Sequence, residues 1–413
     1  MIRRWISVPA VAGTVVALCC HGFVLAEDKD PPTKPKAAAS EKGDAEKTEK
    51  PAAEKKPVDP FAVPEGNDPK VIALFLSRLQ RVPVKNRTPE GIIEHLGKLE
   101  KVADELLSRD LDDQLLEQAI GMKFQILSLY AQREVEGAEE KQSDFLAKAA
   151  EDPRPVVANM AKTYQKMQRV QQIGDLEKAE RAALIQELAK DLQEGELNSD
   201  EVEFAMMAAN SLAELGETED AVAALNLFAK NIEATGSPNG EKVVSAMLGT
   251  ARKLTLPGNP IEISGKKIDG TEFNITELKG KVVLVDFWAT WCGPCLAELP
   301  NVAEQYELYH DKGFEVVGIS LDEDREALEE FLKEKQLPWI QLHQNDGAGW
   351  GNDNAARYAI QGIPACFLVD QEGKVVSLEC RGEVLPKMLE QLLGPAEKKP
   401  AAEEKAETPE KSK

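Results

Sequence analysis

The sequence predicts two domains: an all-α helical-hairpin domain, then an α/β domain whose mixed sheet carries helices on both faces. Three observations predict this. Apolar residues recur at spacings of three and four from about Pro69 to Leu254, and at spacings of two after it. Beyond residue 255, strands and helices alternate and close with a hairpin and a helix. A chain of 413 residues also has room for two cores and tails.

The helical part, 61–254, is built from apolar stripes. Ile92, Leu96, Leu99, Ala103 and Leu106 form one, and Leu116, Ile120, Phe124 and Leu127 another. Val157, Met160, Tyr164 and Met167, then Leu184, Leu188 and Leu192, then Val202, Ala205, Ala209, Leu212 and Leu215 continue the pattern. Breaks at Gly137, Asp152-Pro153, Gly174, Gly195, Gly216 and Ser237-Pro238 divide it into about seven antiparallel helices. SLAELGETEDAVAALNLFAK (211–230) resembles one tetratricopeptide hairpin, but no 34-residue period surrounds it. The array is therefore read as irregular, serving as a docking surface for a protein partner, a spacer or a lid.

In the α/β part, 255–394, IEISGKKIDGTEFNI (261–275) reads as a hairpin turning at Asp269-Gly270. KVVLVDFW (281–288) and FEVVGISLD (314–322) are buried strands, and Cys292 to His310 is a helix. REALEEFLKEK (325–335) is a helix, WIQLHQ (339–344) a strand and AARYAI (355–360) a short helix. ACFLVD (365–370) and KVVSLEC (374–380) pair as strands, and a last helix spans about Leu385 to Leu393.

Composition and the chain ends bound the function. A net charge of −22 opposes nucleic-acid binding, which needs clustered Lys and Arg against phosphate. Arg3 and Arg4 precede an apolar stretch from Trp5 to Ala26, and Val24-Leu25-Ala26 suits signal cleavage. Residues 1–26 thus read as a signal peptide, or as an uncleaved anchor, because the stretch approaches the ~20 residues that span a bilayer. Either way the chain is expected outside the cytosol, in the periplasm or cell envelope, soluble or N-terminally anchored. Residues 27–60 and 395–413, rich in Lys, Glu, Ala and Pro, read as disordered.

Without Cys19 and Cys20 of the leader, Cys292, Cys295, Cys366 and Cys380 remain, all in the last third. An exported location permits pairing. Residues 287–295 read FWATWCGPC: two cysteines two residues apart, after a buried strand and at the start of a helix. Free N–H groups and the positive dipole end there favour thiolate, the reactive form. Pro294 fits the first helical turn. Cys292 is expected to be the exposed attacker, and Cys295, a turn further in, the buried resolver. Asp286 stands alone inside an apolar strand, where a carboxylate has poor structural reasons to be.

VDFWATWCGPC (285–295) resembles the active-site strand, turn and helix of thioredoxins. Pro300 falls where that fold kinks its active-site helix, and Gly362-Ile363-Pro364 before ACFLVD matches its cis-proline loop. GNPIEISGKKIDGTEFNITELKGK (258–281) and CLAELP (295–300) are similar to the TlpA/ResA group of exported thiol–disulfide oxidoreductases, which serves cytochrome c maturation and envelope thiol reduction. The likeness covers residues 256–394 and not the helical region. It implies a redox-active Cys292–Cys295 disulfide with no other cofactor, and Asp286 and Glu298 as acceptors of the Cys295 proton. It also implies substrate contact at Trp291, Gly293, Pro294, Ile363 and Pro364, with the Ile363 backbone pairing with a substrate strand. Substrate proteins with disulfides and a membrane thiol–disulfide electron donor are the implied partners. Gly-Pro between the cysteines resembles thioredoxin, with its potential of about −270 mV, and favours a reductant.

Other readings are weaker. Zinc would need Cys366 and Cys380 as its remaining thiols, with the first pair on a strand-to-helix junction. A peroxidase of this fold needs a Thr-bearing cysteine context absent from FWATWCGPC. A partner-binding adaptor, worked by the helical domain, would not need the complete dithiol. Glu298 also reads as a solvent-facing helix residue. Trp350 in GAGWGND (347–353) either borders the substrate groove or caps the domain. His95, His310 and His343 read as surface or partly packed. Cys366 and Cys380 share a face of the last hairpin, and register decides between a structural disulfide and two buried thiols.

Overall fold

A computed structural model describes residues 59–194, 197–344 and 349–396. The signal segment, most of the first charged linker, Gly195 and residues 397–413 of the tail lie outside these. Nine α-helices occupy residues 69–254 among the described residues, more than the sequence suggested. They form parts of two compact units, one ending at Gln172 and the other beginning at Ile173. The division falls well before the change of period near residue 254.

The first unit holds α1 (Pro69–Leu79), α2 (Pro89–Leu107), α3 (Asp113–Gln132), α4 (Ala138–Ala150) and α5 (Pro155–Gln171). Asp68, Thr88 and Asp112 cap the first three by accepting backbone N–H bonds, and Pro69, Pro89 and Pro155 sit in first turns. The α2–α3 break at 108–112 carries no Gly or Pro, which is why the sequence punctuation missed it. The stripes meet as one core that includes Leu99, Leu106, Leu116, Ile120 and Leu127. Phe124 stacks on Tyr164 at 4.1 Å. Lys123 is buried among them and donates to Glu100 at 2.7 Å, satisfying a charge that would otherwise be costly.

The second unit begins with α6 (Lys178–Asp191), α7 (Ser199–Glu214), α8 (Thr218–Thr235) and α9 (Gly240–Leu254). The hairpin read at 211–230 is the α7–α8 turn. β1 (Ser264–Lys266) and β2 (Glu272–Asn274) pair antiparallel around Gly270, whose φ of 85° an L side chain rarely adopts. Then follow β3 (Val282–Trp288), α10 (Gly293–Tyr309), β4 (Phe314–Ser320), α11 (Arg325–Lys335), β5 (Ile340–His343), α12 (Asp353–Arg357), β6 (Ala365–Val369), β7 (Val375–Ser377) and α13 (Val384–Leu393).

The main sheet runs β5-β4-β3-β6-β7, with β3, β4 and β5 parallel and β6 and β7 antiparallel. Period-2 alternation along β3 divides the core. Val282 and Leu284 face Leu299 and Val302 of α10 and Leu385 and Leu389 of α13. Val283, Val285 and Phe287 face Ala355 of α12 and the adjacent Tyr358, with Phe273 of the hairpin. The mixed sheet with helices on both faces is as read from sequence. β7 is shorter than the 374–380 expected. A register irregularity at Leu368/Val369 ends the ladder early and leaves Cys380 on the loop beyond. Helix α9 packs against α12: a Cβ on Gly249 would lie 2.8 Å from the Ala356 carbonyl oxygen and 2.9 Å from the Ala359 nitrogen.

Candidate active site

Strand β3, buried on both faces, delivers the chain to a loop at its C-terminal end, where α10 begins. Cys292 is the N-cap of α10 and Pro294 lies in its first turn. Cys292 and Cys295 are joined as a disulfide, and the Cys295 N–H donates to Cys292 Sγ at 3.2 Å. The helix terminus therefore offers Cys292 both a hydrogen bond and a positive dipole end.

The expectation of an exposed Cys292 is corrected. Cys292 is 5% exposed and Cys295 3%. In the bonded state the two sulfurs turn toward each other inside an apolar cluster with Trp288, Ala289 and Leu328, and Ile363 packs against it. The exposed surface belongs to their neighbours Trp291, Gly293 and Pro294. Trp291 is 57% exposed and Trp350 46%, with ring centroids 6.3 Å apart, so Trp350 stands beside the rim of the site. The Ile363-Pro364 peptide is cis, and both residues are half-buried. The Ile363 contact with the cysteine cluster places this loop against the dithiol.

Asp286 lies on β3, opposite Gly318 of β4 and Cys366 of β6. It retains partial surface exposure, yet protein atoms crowd its carboxyl. That burial, and next the charge of Glu298, push its pKa up to about 7, while Arg381 pulls the other way. Glu298 is half-buried on α10, one turn beyond Cys295. Its Oε1 accepts from the Gly382 N–H at 2.7 Å and from Asn301 Nδ2 at 2.6 Å. Glu298 is therefore anchored to the loop before α13 and is not a freely solvated helix residue.

Asp322 was not foreseen. It is buried two residues beyond β4, and its carboxylate accepts from the Thr290 N–H at 3.1 Å and from Thr290 Oγ1 at 2.6 Å. Ser320 Oγ donates to it at 2.8 Å. These bonds fix the turn two residues before Cys292. His343, read as surface or partly packed, is buried, with Nε2 2.9 Å from the Asp322 carbonyl oxygen. The available signal was an acid closing a buried strand parallel to β3, since sites of α/β sheets gather at strand C-termini.

A mixed sheet bearing a Cys-Gly-Pro-Cys disulfide at a helix start, faced by a cis-proline loop, defines a thioredoxin-like thiol–disulfide oxidoreductase. The Redoxin family model matches residues 257–392. The thiol-disulfide oxidoreductase ResA of Bacillus thuringiensis subsp. konkukian is 34% identical over 132 residues, which are 32% of this chain and 70% of that protein. The ResA of Bacillus subtilis is 32% identical over 110 residues, 27% of this chain and 59% of its own length. Among solved structures, the thioredoxin domain of a Bacteroides vulgatus thiol-disulfide oxidoreductase is 33% identical. The match covers 33% of this chain and 97% of that one, with a TM-score of 0.31. Through this domain the chain belongs to the TlpA/ResA group of the thioredoxin-like family.

Proposed function

We propose that the chain is an exported reductant of protein disulfides, working through Cys292 and Cys295. The observation that supports it is the Cys292–Cys295 disulfide at the start of α10, faced by the cis Ile363-Pro364 loop. In the reduced enzyme the Cys292 thiolate attacks a substrate disulfide. One substrate sulfur leaves as thiolate and takes a proton, and a mixed disulfide remains. Cys295 then loses its proton and attacks Cys292 Sγ. The second substrate thiol departs, the enzyme disulfide forms, and two electrons have passed to the substrate.

Asp286 is the proposed acceptor of the Cys295 proton, with Glu298 as its charged neighbour. A group that titrates near neutrality is suited to give and take a proton at ambient pH. Trp291, Gly293 and Pro294 form the exposed rim where substrate would lie, and the Ile363 backbone is the edge a substrate strand would pair with. A membrane thiol–disulfide donor would restore the dithiol. Within this reading, cytochrome c precursors are the substrates the group resemblance suggests.

Insulin reduction by the full chain tests the activity: wild type should be active and Cys292→Ser inactive, and equal rates would end the proposal. Cys295→Ser in cells should accumulate mixed disulfides on Cys292. Haem-attachment sequences among the trapped proteins would support cytochrome assembly, and a broad catch would support general repair.

A further inference from the structure

Cys366 and Cys380 have no part in the chemistry above. They are 3% and 1% exposed, and Cys380 Sγ donates to Cys366 Sγ at 2.9 Å. A disulfide places the sulfurs about 2.05 Å apart, so closure needs a movement of roughly 1 Å. The positions of the two residues give that closure a consequence. Cys366 is two residues beyond cis Pro364, on β6, directly opposite Asp286. Cys380 is two residues before Gly382, whose N–H holds Glu298 and whose carbonyl oxygen accepts from Asn301 Nδ2 at 3.1 Å. The Cys380 N–H also donates to Cys366 Sγ at 3.3 Å.

We propose that Cys366 and Cys380 are a second thiol–disulfide centre, whose closure covalently joins the cis-proline strand to the Gly382 loop that anchors Glu298. The oxidant is a low-molecular-weight disulfide of the glutathione class. One thiolate attacks it, forms a mixed disulfide and expels one small thiolate. The other cysteine then loses its proton, attacks the first cysteine's sulfur and expels the second. Two cysteine thiols are oxidised by two electrons, one small disulfide becomes two small thiols, and these take up both protons.

Access comes by loop opening. Cys380 is the buried member of a segment whose neighbours Glu379, Arg381, Gly382 and Glu383 are exposed. In the closed fold its bond to Cys366, then burial, hold the Cys380 thiol far above the usual range, so exchange waits for the loop to move. The centre therefore responds slowly to a prevailing redox poise and takes no part in each turnover.

The test uses the full chain carrying Cys292→Ser and Cys295→Ser, so that it stands or falls separately from the proposed reductase activity. The folded protein is incubated in graded reduced and oxidised glutathione, quenched, denatured, alkylated and digested. The expected result is a peptide pair joined through Cys366 and Cys380, two hydrogen atoms lighter than its separate halves, growing with the oxidised fraction. Amide exchange at Gly382 should slow on the order of ten-fold when the bond is closed. Full alkylation of both thiols at every buffer ratio, or bonds from either to other partners, overturns the centre. Unchanged exchange at Gly382 overturns its link to the Glu298 anchor.

Discussion

Asp286 and Asp322 are both acids at the site, and their surroundings set them apart. Asp322 accepts several hydrogen bonds and serves as a clamp, whereas Asp286 is crowded and faces the charge of Glu298. The folded protein therefore holds the Asp286 proton up to about pH 7, while the unfolded chain releases it near the ordinary carboxylate value. Stability from this group is complete below about pH 4 and is lost as pH rises toward 7, where the folded form ionises too. Asp286→Asn should flatten that decline. The effect is bounded at about 4 kcal/mol and falls well below that because the residue is partly exposed. Urea denaturation of both proteins across pH 4–8 measures it, and parallel curves would refute it. The same substitution should slow insulin reduction by about 10²–10⁴-fold if Asp286 takes the Cys295 proton, and remove an apparent pKa near 7 from the pH–rate profile. Asp322→Asn keeps the shape but weakens the bonds to Thr290. It should lower the reduction rate while thermal unfolding moves by no more than about 1–2 kcal/mol, as expected for loss of charge-assisted hydrogen bonds.

Helix α9 shows how an element can look ordinary in sequence and be constrained in the fold. The break at Ser237-Pro238 and the end of the helical period near Leu254 bound this helix in the sequence, but the need for Gly249 arises only from contact with Ala356 and Ala359, more than a hundred positions later. Gly249→Ala improves local helix propensity yet forces backbone apart, so destabilisation should win by about 1–3 kcal/mol. Chemical denaturation should register that loss, and a gain in stability would contradict the packing. The same distinction explains what was legible. Helices, strands and the dithiol were readable because period, Gly and Pro punctuation and the Cys-Gly-Pro-Cys spacing are local. The two stripes at 92–106 and 116–127 separated α2 from α3, but punctuation did not mark the break, because residues 108–112 carry no Gly or Pro and the Asp112 side chain caps the start of α3. The burial of Cys292 and His343, the Asp322 clamp and the Glu298–Gly382 bond depend on chain segments that sequence separates widely. That Cys366 and Cys380 share a face of the hairpin was legible, but the register irregularity at Leu368/Val369, which no local pattern announced, set how near the two sulfurs lie.

At the scale of the molecule, the compact unit that carries the dithiol begins at Ile173, about eighty residues before the family resemblance starts. Helices α8 and α9 stack on each other, and Gly249 of α9 meets the backbone of Ala356 and Ala359 beside α12. Arg252 also donates to the Arg357 carbonyl oxygen at 3.3 Å. Tyr358 and Ala355 next to that contact belong to the core face of β3 that contains Val283, Val285 and Phe287. Helix α9, backed by α8, thus supports one layer of the redox domain. A fragment of residues 173–413 should unfold in a single cooperative transition and retain insulin reduction. A fragment of residues 255–413 lacks the cover over α12 and exposes apolar surface there. It should lose stability, at about 25 cal/mol for each Å² of apolar surface uncovered, and bind hydrophobic dyes that the longer fragment does not. Equal unfolding midpoints and equal dye binding would show that the family-like part is self-sufficient and that α9 is only a neighbour.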